Sequence, residues 1–593
     1  MSGDNTGSNS PEPIENGPKR NAIGISFGNS YSSIAYTNAA DGKAEVIADP
    51  DGDRQIPSIL SYVGGEEFTG AQAKAQIPRN PRNTIAHVRD YLGKSFKEID
   101  PTPCQAVAHP VEHDGGKTVA FVVQEKASEE EGPQPQKSTL TVQEVSTRLL
   151  RRLKSAASDY LGKDVNAAVI TVPSDFSDAQ KVALKTSAEA AGIEVLQFIS
   201  EPISALLAYD AKIQQSGEGQ PSQQDKIVIV GDLGGTRSDV SVVSSRAGMY
   251  TTLATAHDYE LGGVTLDKVL IEYAAKEFLN KNKNAKDPRE NERSLAKLTL
   301  EAEAVKKALS LGASASFSIE SLVDGIDFSL SVNRTRFELL GNKVFASFTR
   351  LIEGAVQKAD LDVLDIDEIV LSGGTSHTPK IASNVQSHFP ESTVVIAPST
   401  TPSAVNPSEL AARGAAIQAS LISEFESQDI VENTEAVVTV TPHIQHAIGL
   451  VTGEDQFSVI VPPETPVPVR RTAQISVKNG GDVLLKLAEG VREIKITQEE
   501  KPATNGKKDD DDDDDDEDDE DDEPEEIRSK VWKVSKPLAE AAIKGVKKGG
   551  KVEVQINVAA DLSVTVVARE VGGKGGVRGV IEAGAVEQNG SAA

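Results

Sequence analysis

Two stretches of this chain put small residues, hydroxyls and carboxylates where a phosphate could be held. In Ile227-Val-Ile-Val-Gly-Asp-Leu-Gly-Gly-Thr-Arg-Ser-Asp-Val-Ser-Val-Val243 a β-branched run enters a Gly-Gly bend and a second alternating run leaves it. That pattern predicts strand, tight turn, strand. Backbone N–H groups of such a bend point at whatever fills it, and Asp232 at its entrance could hold the water shell of a metal ion. The stretch Ala22 to Tyr36 repeats the design about 206 residues earlier: Ser26 falls on Asp232, Gly28 on Gly234, Asn29 on Gly235 and Ser30 on Thr236. One glycine-rich hairpin alone need bind nothing, but two of them imply two lobes facing one ligand, a phosphate with its metal.

Other candidates stand on the elements between and after these hairpins. Lys74 falls on a short helix through Gly70-Ala-Gln-Ala-Lys-Ala-Gln76, where an ordinary solvated lysine is the plain reading. Glu201 opens a helix just after a strand around Val195 to Ile199, placed for metal-bound water, although the helix dipole alone would favour a glutamate there. A helix from Leu295 to Leu311 carries Glu303, Lys306, Lys307 and Ser310; Glu303 and Lys307 are four apart, and a simple ion pair would explain them. Ile369-Val-Leu-Ser-Gly-Gly-Thr-Ser376 makes a third turn from strand to glycine. Helices are predicted over 142–161, 178–191 and 266–282, with a buried strand over 166–174. Strands alternating with helices indicate an α/β layer.

The whole chain bounds these readings. Its 593 residues imply two or three domains, and the single cysteine, Cys104, excludes an intrachain disulfide and fits a reducing cytosol or nucleus. A net charge of −29 argues against direct binding to nucleic acid or acidic membranes, yet more than half of it sits in Asp509 to Glu526, where seventeen of eighteen residues are acidic. Residues 1–20 read as a disordered tail rather than a signal peptide, and no apolar run approaches the roughly 18 residues that span a bilayer. After a linker at 426–435, residues 436–585 alternate with period two in runs such as Ala436 to Pro442, Phe457 to Pro462, Ala473 to Val477, Val552 to Val558 and Leu562 to Ala568, predicting a small β-sandwich. An acidic insertion at 498–530 interrupts it; the insertion is either a solvated loop or a contact for basic tails of a partner, and 586–593 form a last tail.

From Ala22 to about Glu424 the chain resembles the nucleotide-binding domain of the 70-kDa heat-shock (DnaK) family, an actin-like bilobed fold. Ser200-Glu-Pro-Ile-Ser-Ala-Leu-Leu-Ala-Tyr209 is similar to that family's N-E-P-T-A-A-A-I-A-Y. Gly325-Ile-Asp-Phe328, Arg334-Thr-Arg-Phe-Glu-Leu339, Ser372 to Lys380 and Val405 to Ala416 follow in the family's order. The resemblance implies ATP as ligand. It makes Lys74 the lysine that activates water, Glu201 a carboxylate near the metal, and Asp232 and Asp239 the acids of the second phosphate loop. Gly28, Asn29, Ser30 and Tyr31 become the first phosphate loop, and Gly234, Gly235, Thr236 and Arg237 the second, with Gly262 and Gly263 beside it. Glu303, Lys306, Lys307 and Ser310, with Gly373, Gly374, Thr375, Ser376 and His377, become the adenosine pocket. By position the second block resembles the family's peptide-binding β-domain.

Departures from the pattern cluster at the phosphate end. The family's first aspartate is Ser26, its first threonine Asn29, its third glycine Thr236 and the following threonine Arg237; the adenine-stacking arginine is His377, and the acidic pair after Leu-Gly-Gly is Val264-Thr265. Ser26 and Arg237 each add about one positive unit at a polyanion site, and arginine can pair with phosphate through a bidentate fork. The expectation is that Arg237 partly replaces the metal, so that ATP binds with little or no hydrolysis, Asp232 holds a metal only weakly through water, and the need for Mg is open. In the alternative register set by the internal duplication, Thr236 is the phosphate-facing hydroxyl and Arg237 points elsewhere. A pocket that has ceased to bind nucleotide is the third reading.

The linker Glu432 to Thr439 lacks the family's leucine-rich dock, and the chain ends at Ala593 without a helical lid, so the expected β-domain is truncated. These departures resemble the Ssz-type branch of the family. That resemblance implies a cytoplasmic, ribosome-associated co-chaperone in stable complex with a J-protein of the zuotin type, supporting a second, active heat-shock-70 protein on nascent chains. An active ATP-driven chaperone is the alternative; a sugar kinase would leave the heat-shock motifs unexplained.

Overall fold

In the computed structural model the described residues are 20–104, 106–125, 136–216, 226–246, 249–425, 428–430, 444, 446–452, 456–463, 465, 467–498, 526–573 and 576–582. They fall into two units, divided between Glu435 and Ala436.

The first unit is built on a repeated sheet. In one lobe the strand order is Glu194–Ser200, Ala167–Val172, Ala22–Ser26, Tyr31–Thr37, Ala44–Ile47, with Ile56–Pro57 also on Tyr31–Thr37. In the other it is Val394–Ile396, Glu368–Ser372, Lys226–Leu233, Ser238–Arg246, Met249–Asp258. Each sheet has an antiparallel hairpin at its centre and parallel strands to one side. The two hairpins are in the same register: Ser26 lies opposite Ser33 in the first, and Asp232 opposite Asp239 in the second. Where one lobe carries a cross-strand pair of carboxylates, the other carries two hydroxyls.

Local sequence explains the helices that carry site residues. Thr141 and Glu144 form a reciprocal cap on Val142–Leu161, which ends at Gly162 in the left-handed region, and Asn291 caps Glu292–Leu311. Helix Glu201–Ser216 begins directly after the last residue of its preceding strand, Glu194–Ser200, so Glu201 stands at a sheet's carboxyl end. Helix Leu410–Ile422 packs on Glu201–Ser216 and on the first hairpin through small residues. A Cβ on Gly414 would lie 1.8 Å from the Ser204 carbonyl oxygen, and one on Gly24 would lie 2.2 Å from the Ala416 nitrogen.

The second unit is a sandwich of two four-stranded antiparallel sheets. One runs Phe457–Val461, Ala447–Val451, Gly481–Gln498, Glu526–Val546; the other runs Val469–Val477, Gly550–Val558, Val564–Glu570, Gly576–Ile581. Period-two alternation is its physical basis: Val552, Val554, Ile556 and Val558 are fully buried, while Lys551 and Asn557 are exposed. No helix among the described residues is long and apolar enough to cross a membrane.

Three expected boundaries shift. Gln498 pairs with Glu526 at the end of a long hairpin, so 526–530 belong to a strand and not to the insertion, because backbone pairing continues to that register. Arg20 is fixed rather than part of a free tail, since its guanidinium meets Glu194 at 2.8 Å and the Phe425 carbonyl at 2.5 Å. Ile430, placed in the linker, is buried among Ala167, Val169, Leu196 and Ala415. The expected strand Ala436 to Pro442, the linker stretch Glu432 to Thr439 and the tail 586–593 lie outside the described residues.

Gly414→Ala tests the close helix packing. A methyl at that position forces the two helices apart, at a cost of about 1–3 kcal/mol. The expected result is a lower urea midpoint for the first unit with the β-unit transition unchanged.

Candidate functional site

The residues singled out by sequence form two clusters at the hairpin turns. The turns themselves meet: the Asn29 side-chain amide donates to the Thr236 hydroxyl at 3.0 Å, and Gly235 leaves room for the Ser30 side chain, whose oxygen would lie 2.3 Å from a Cβ there. Gly28 is needed for a related reason, since a Cβ would stand 2.1 Å from the Tyr31 carbonyl oxygen. The second turn is braced from behind. Gly263 and Val264 donate backbone N–H groups to the Gly234 and Gly235 carbonyls at 3.0 and 2.8 Å, and the Thr375 hydroxyl donates to the Gly234 carbonyl at 2.8 Å. Gly262 and Gly373 allow this approach; Gly373 has φ +82°, and a Cβ would press on the Leu233 carbonyl at 2.4 Å.

One cluster gathers the expected adenosine row around Tyr31. The Lys74 ammonium lies 2.5 Å from Glu303 Oε2 and 2.5 Å from the Tyr31 hydroxyl, which itself donates to Glu303 Oε1. Lys307 pairs with Glu303 at 2.8 Å and sits over the Tyr31 ring, 4.5 Å from its centroid. Lys306 reaches Asp267 at 2.8 Å and the Gly263 carbonyl at 2.8 Å. The Ser310 hydroxyl donates to the Lys306 carbonyl at 3.1 Å, and His377 Nε2 meets Asn406 at 3.1 Å and Ser408 at 3.2 Å. Ser376 closes its turn onto the Ser372 carbonyl at 2.5 Å, next to Gly374. Burial alone would raise the Glu303 carboxyl, but Lys74, Lys307 and Lys306 outweigh it and hold it far below the usual range. Burial pushes Lys74 down against the pull of Glu303.

The other cluster is acidic and holds two arginines. Arg237 grips Asp239 along its Nε–Nη2 edge, with Nε at 2.8 Å, and the same Nη2 reaches Asp175 at 2.6 Å. Arg89 spans Asp90 at 2.8 Å and Glu201 at 3.0 Å. His257 Nδ1 meets Asp239 at 2.7 Å, and Tyr259 donates its hydroxyl to Asp175. Burial, then the neighbouring Asp232 and Asp239 against the pull of Arg89, raises the Glu201 carboxyl to about 8. Burial and Asp239 likewise raise the Asp232 carboxyl, so both groups hold protons to higher pH than ordinary carboxylates do.

Two expectations change here. Arg237 is not a free fork for phosphate: two buried or half-buried carboxylates hold it, because Asp239 faces it two residues away and Asp175 arrives from the other lobe. Lys74, plainly read as an ordinary solvated lysine, is largely buried and stands with Tyr31 and Glu303, a partner 229 residues away. Sequence reading missed Arg89, Asp90, Asp175, His257, Tyr259 and Asp267; none lies in a glycine-rich pattern, and only Asp267, four residues after Gly263 on a shared helix face, had a local signal.

The residues fit a nucleotide. Each turn is a cradle that only glycine leaves open, the buried Ser30 hydroxyl has no hydrogen-bond partner among the described residues, and lysines surround the Tyr31 side of the cleft. The carboxyls impose a pH dependence. A raised folded pKa means that the folded state binds more protons between about pH 4.5 and about pH 8, so stability falls as pH rises through that window. Glu201→Gln is expected to flatten this slope by up to about 1.4 kcal/mol per pH unit. Denaturant titrations at pH 5.5 and 8.0 measure it; an unchanged slope refutes the raised Glu201 carboxyl.

Comparison with known proteins gives the family. Residues 22–502 match the family model described as Hsp70 protein. The chain is 43% identical over 559 residues to the ribosome-associated complex subunit SSZ1 of Saccharomyces cerevisiae, covering 94% of this chain and 99% of that one. It is 41% identical to a heat shock protein 70 homologue of Schizosaccharomyces pombe, covering 94% and 95%. It is 34% identical to heat shock cognate 70 kDa protein 3 of Dictyostelium discoideum, covering 79% and 71%. A bilobed unit with a duplicated hairpin, a β-sandwich after it, and these matches lead to one conclusion: the chain belongs to the Hsp70 family.

Proposed function

We propose that this chain is an ATP-binding co-chaperone subunit of the Hsp70 family that hydrolyses ATP poorly or not at all. In this reading it forms a stable ribosome-associated complex with a J-protein of the zuotin type. The complex supports cotranslational folding of nascent chains by a second, active heat-shock-70 protein, and it works in the cytoplasm without direct membrane or nucleic-acid binding. The likeness to a ribosome-associated complex subunit over nearly the whole of both chains supports the assembly.

One observation carries the low-turnover part: the acids that would order a cation and its water are engaged by the protein's own arginines. Asp239 is gripped by Arg237 and Glu201 by Arg89, while Ser26 supplies no charge at the matching point of the first hairpin. Hydrolysis of a phosphoanhydride needs charge neutralisation and an oriented water. Bound ATP would supply the phosphates; the chain's part is to hold them with the turn amides, Ser30 and Thr236, and to hold the adenosine end near Lys306, Lys307, Ser310 and His377. Asp232, the acid without an arginine on it, is the residue through which a weak, water-mediated Mg would act. Losing one well-placed catalytic element costs on the order of two to four powers of ten in rate.

A linker without the leucine-rich dock would also leave nucleotide state little means of clamping a peptide, so the unit would act as a scaffold. Single-turnover measurement tests the reading. The purified protein, loaded with ATP and freed of excess, is expected to keep ATP intact for hours, with and without Mg, and to co-purify with a J-protein in stoichiometric amount. ADP appearing within minutes, with nucleotide-controlled peptide release, would establish the active chaperone instead. Failure to recover a J-protein would remove the proposed partner.

A further inference from the structure

Arg237 stands where a metal ion could stand. One oxygen each of Asp175 and Asp239 and one ring nitrogen of His257 lie within 4.8 Å of one another. Two oxygens and an imidazole nitrogen form a donor set suited to Mn, Co or Zn. The acids alone would be unremarkable, but a cation is already on them, and it belongs to the chain. The Arg237 side chain is 8% exposed and Asp239 3% exposed. The guanidinium is held on one side by the bidentate contact with Asp239, on another by Asp175 at 2.6 Å, and from above by the Tyr259 ring, 4.6 Å from its centroid. Tyr259 in turn donates to Asp175, so the stacking ring and the bridging carboxylate fix each other. Desolvation works against the guanidinium here, and Asp239, Asp90 and Asp175 overcome it, so the arginine stays charged.

The geometry points to Arg237 as a resident cation, which fills a latent three-donor metal site and straps the two lobes together without any metal. Asp175 lies in the loop after strand Ala167–Val172 of one lobe, whereas Arg237, Asp239, His257 and Tyr259 belong to the hairpin sheet of the other. A bound ion would join the same two lobes through the same atoms but would depend on its concentration and on pH. An arginine is always present and always charged. The substitution therefore converts a conditional contact into a permanent one. Two further observations agree. Arg89 performs the same service for Asp90 and Glu201 in the neighbouring corner, and the first hairpin, with Ser26 opposite Ser33, presents no acid for a metal to hold.

The claim concerns the protein without nucleotide and does not rest on the proposed function, so its test omits ATP. Full-length Arg237→Gln, which keeps the size of the side chain and removes its charge, is titrated with Co and followed by visible absorption and calorimetry. The expected result is one Co bound at least tenfold more tightly than by the unsubstituted protein, and lost again in Arg237→Gln/His257→Gln. If Arg237→Gln binds no more Co than the unsubstituted protein, or if the His257 change leaves its binding intact, the latent site is refuted. Should Arg237→Gln fail to fold, the unsubstituted protein still decides. Its melting temperature should agree within roughly 1 °C between chelator and millimolar Mn, since a ligand that binds only the folded state raises it. A rise of several degrees that His257→Gln abolishes would show that metal, not Arg237, occupies the donors.

Discussion

The structure of the nucleotide unit depends on how a knot of buried charge is balanced. Asp90, Asp175, Glu201, Asp232 and Asp239 converge on the second hairpin turn, and Arg89 and Arg237 are the cations among them. Taking a charge out of water costs several kcal/mol unless it is paired and its remaining hydrogen-bonding groups are satisfied. Here the two arginines meet part of that demand through forked contacts, and the raised Glu201 and Asp232 carboxyls, which favour protonation, lower the rest. The Arg237 contacts also join elements far apart in sequence, because Asp175 comes from one lobe and Arg237 from the other. Charge balance and lobe closure are thus one problem with one solution.

A second ion cluster makes the same connection at the other side of the turns. Lys74 belongs to one lobe and Glu303 to the other, with Tyr31 between them accepting from the lysines and donating to the carboxylate. The two clusters differ in sign. Around Tyr31 three lysines face Glu303 and Asp267, a surface suited to an anionic ligand, whereas the corner at Asp239 is acidic and already holds its counter-cations. A polyanion entering between the hairpins would meet positive charge and open turn amides on one side, and partly neutralised acids on the other. Part of the repulsion that a metal would otherwise screen is offset by Arg89 and Arg237.

Much of this could be read from the sequence because the signals were local and repeated. The register that sets Ser26 on Asp232 is visible as two hairpins with one spacing, and the sheets adopt it strand for strand. Alternation in Val552 to Val558 placed one sandwich strand almost to the residue, since period two has a single explanation when one face is buried. The long hairpin ending at Gln498 and Glu526 was not visible, because charged residues dominate its outer part and hide the alternation. Arg89, Asp175, His257 and Tyr259 were equally hidden. Each is ordinary in its own stretch and gains meaning only from the fold that brings it to Asp239 or Glu201.

Arg237 shows why a residue's type does not fix its role. An arginine in a phosphate loop invites a phosphate contact, because its fork fits one. The fork also fits a carboxylate, and in this hairpin Asp239, two residues on in the outgoing strand, lies within reach of Arg237 in the turn before it. With Asp239 covalently nearby and buried, the local pairing has an effective concentration that no diffusing ligand matches. The arginine therefore satisfies its own strand first. In the proposed reading its influence on a phosphate would be exerted through the acids it pairs with and the lobe contact it makes, leaving the hydroxyls and turn amides for direct contact.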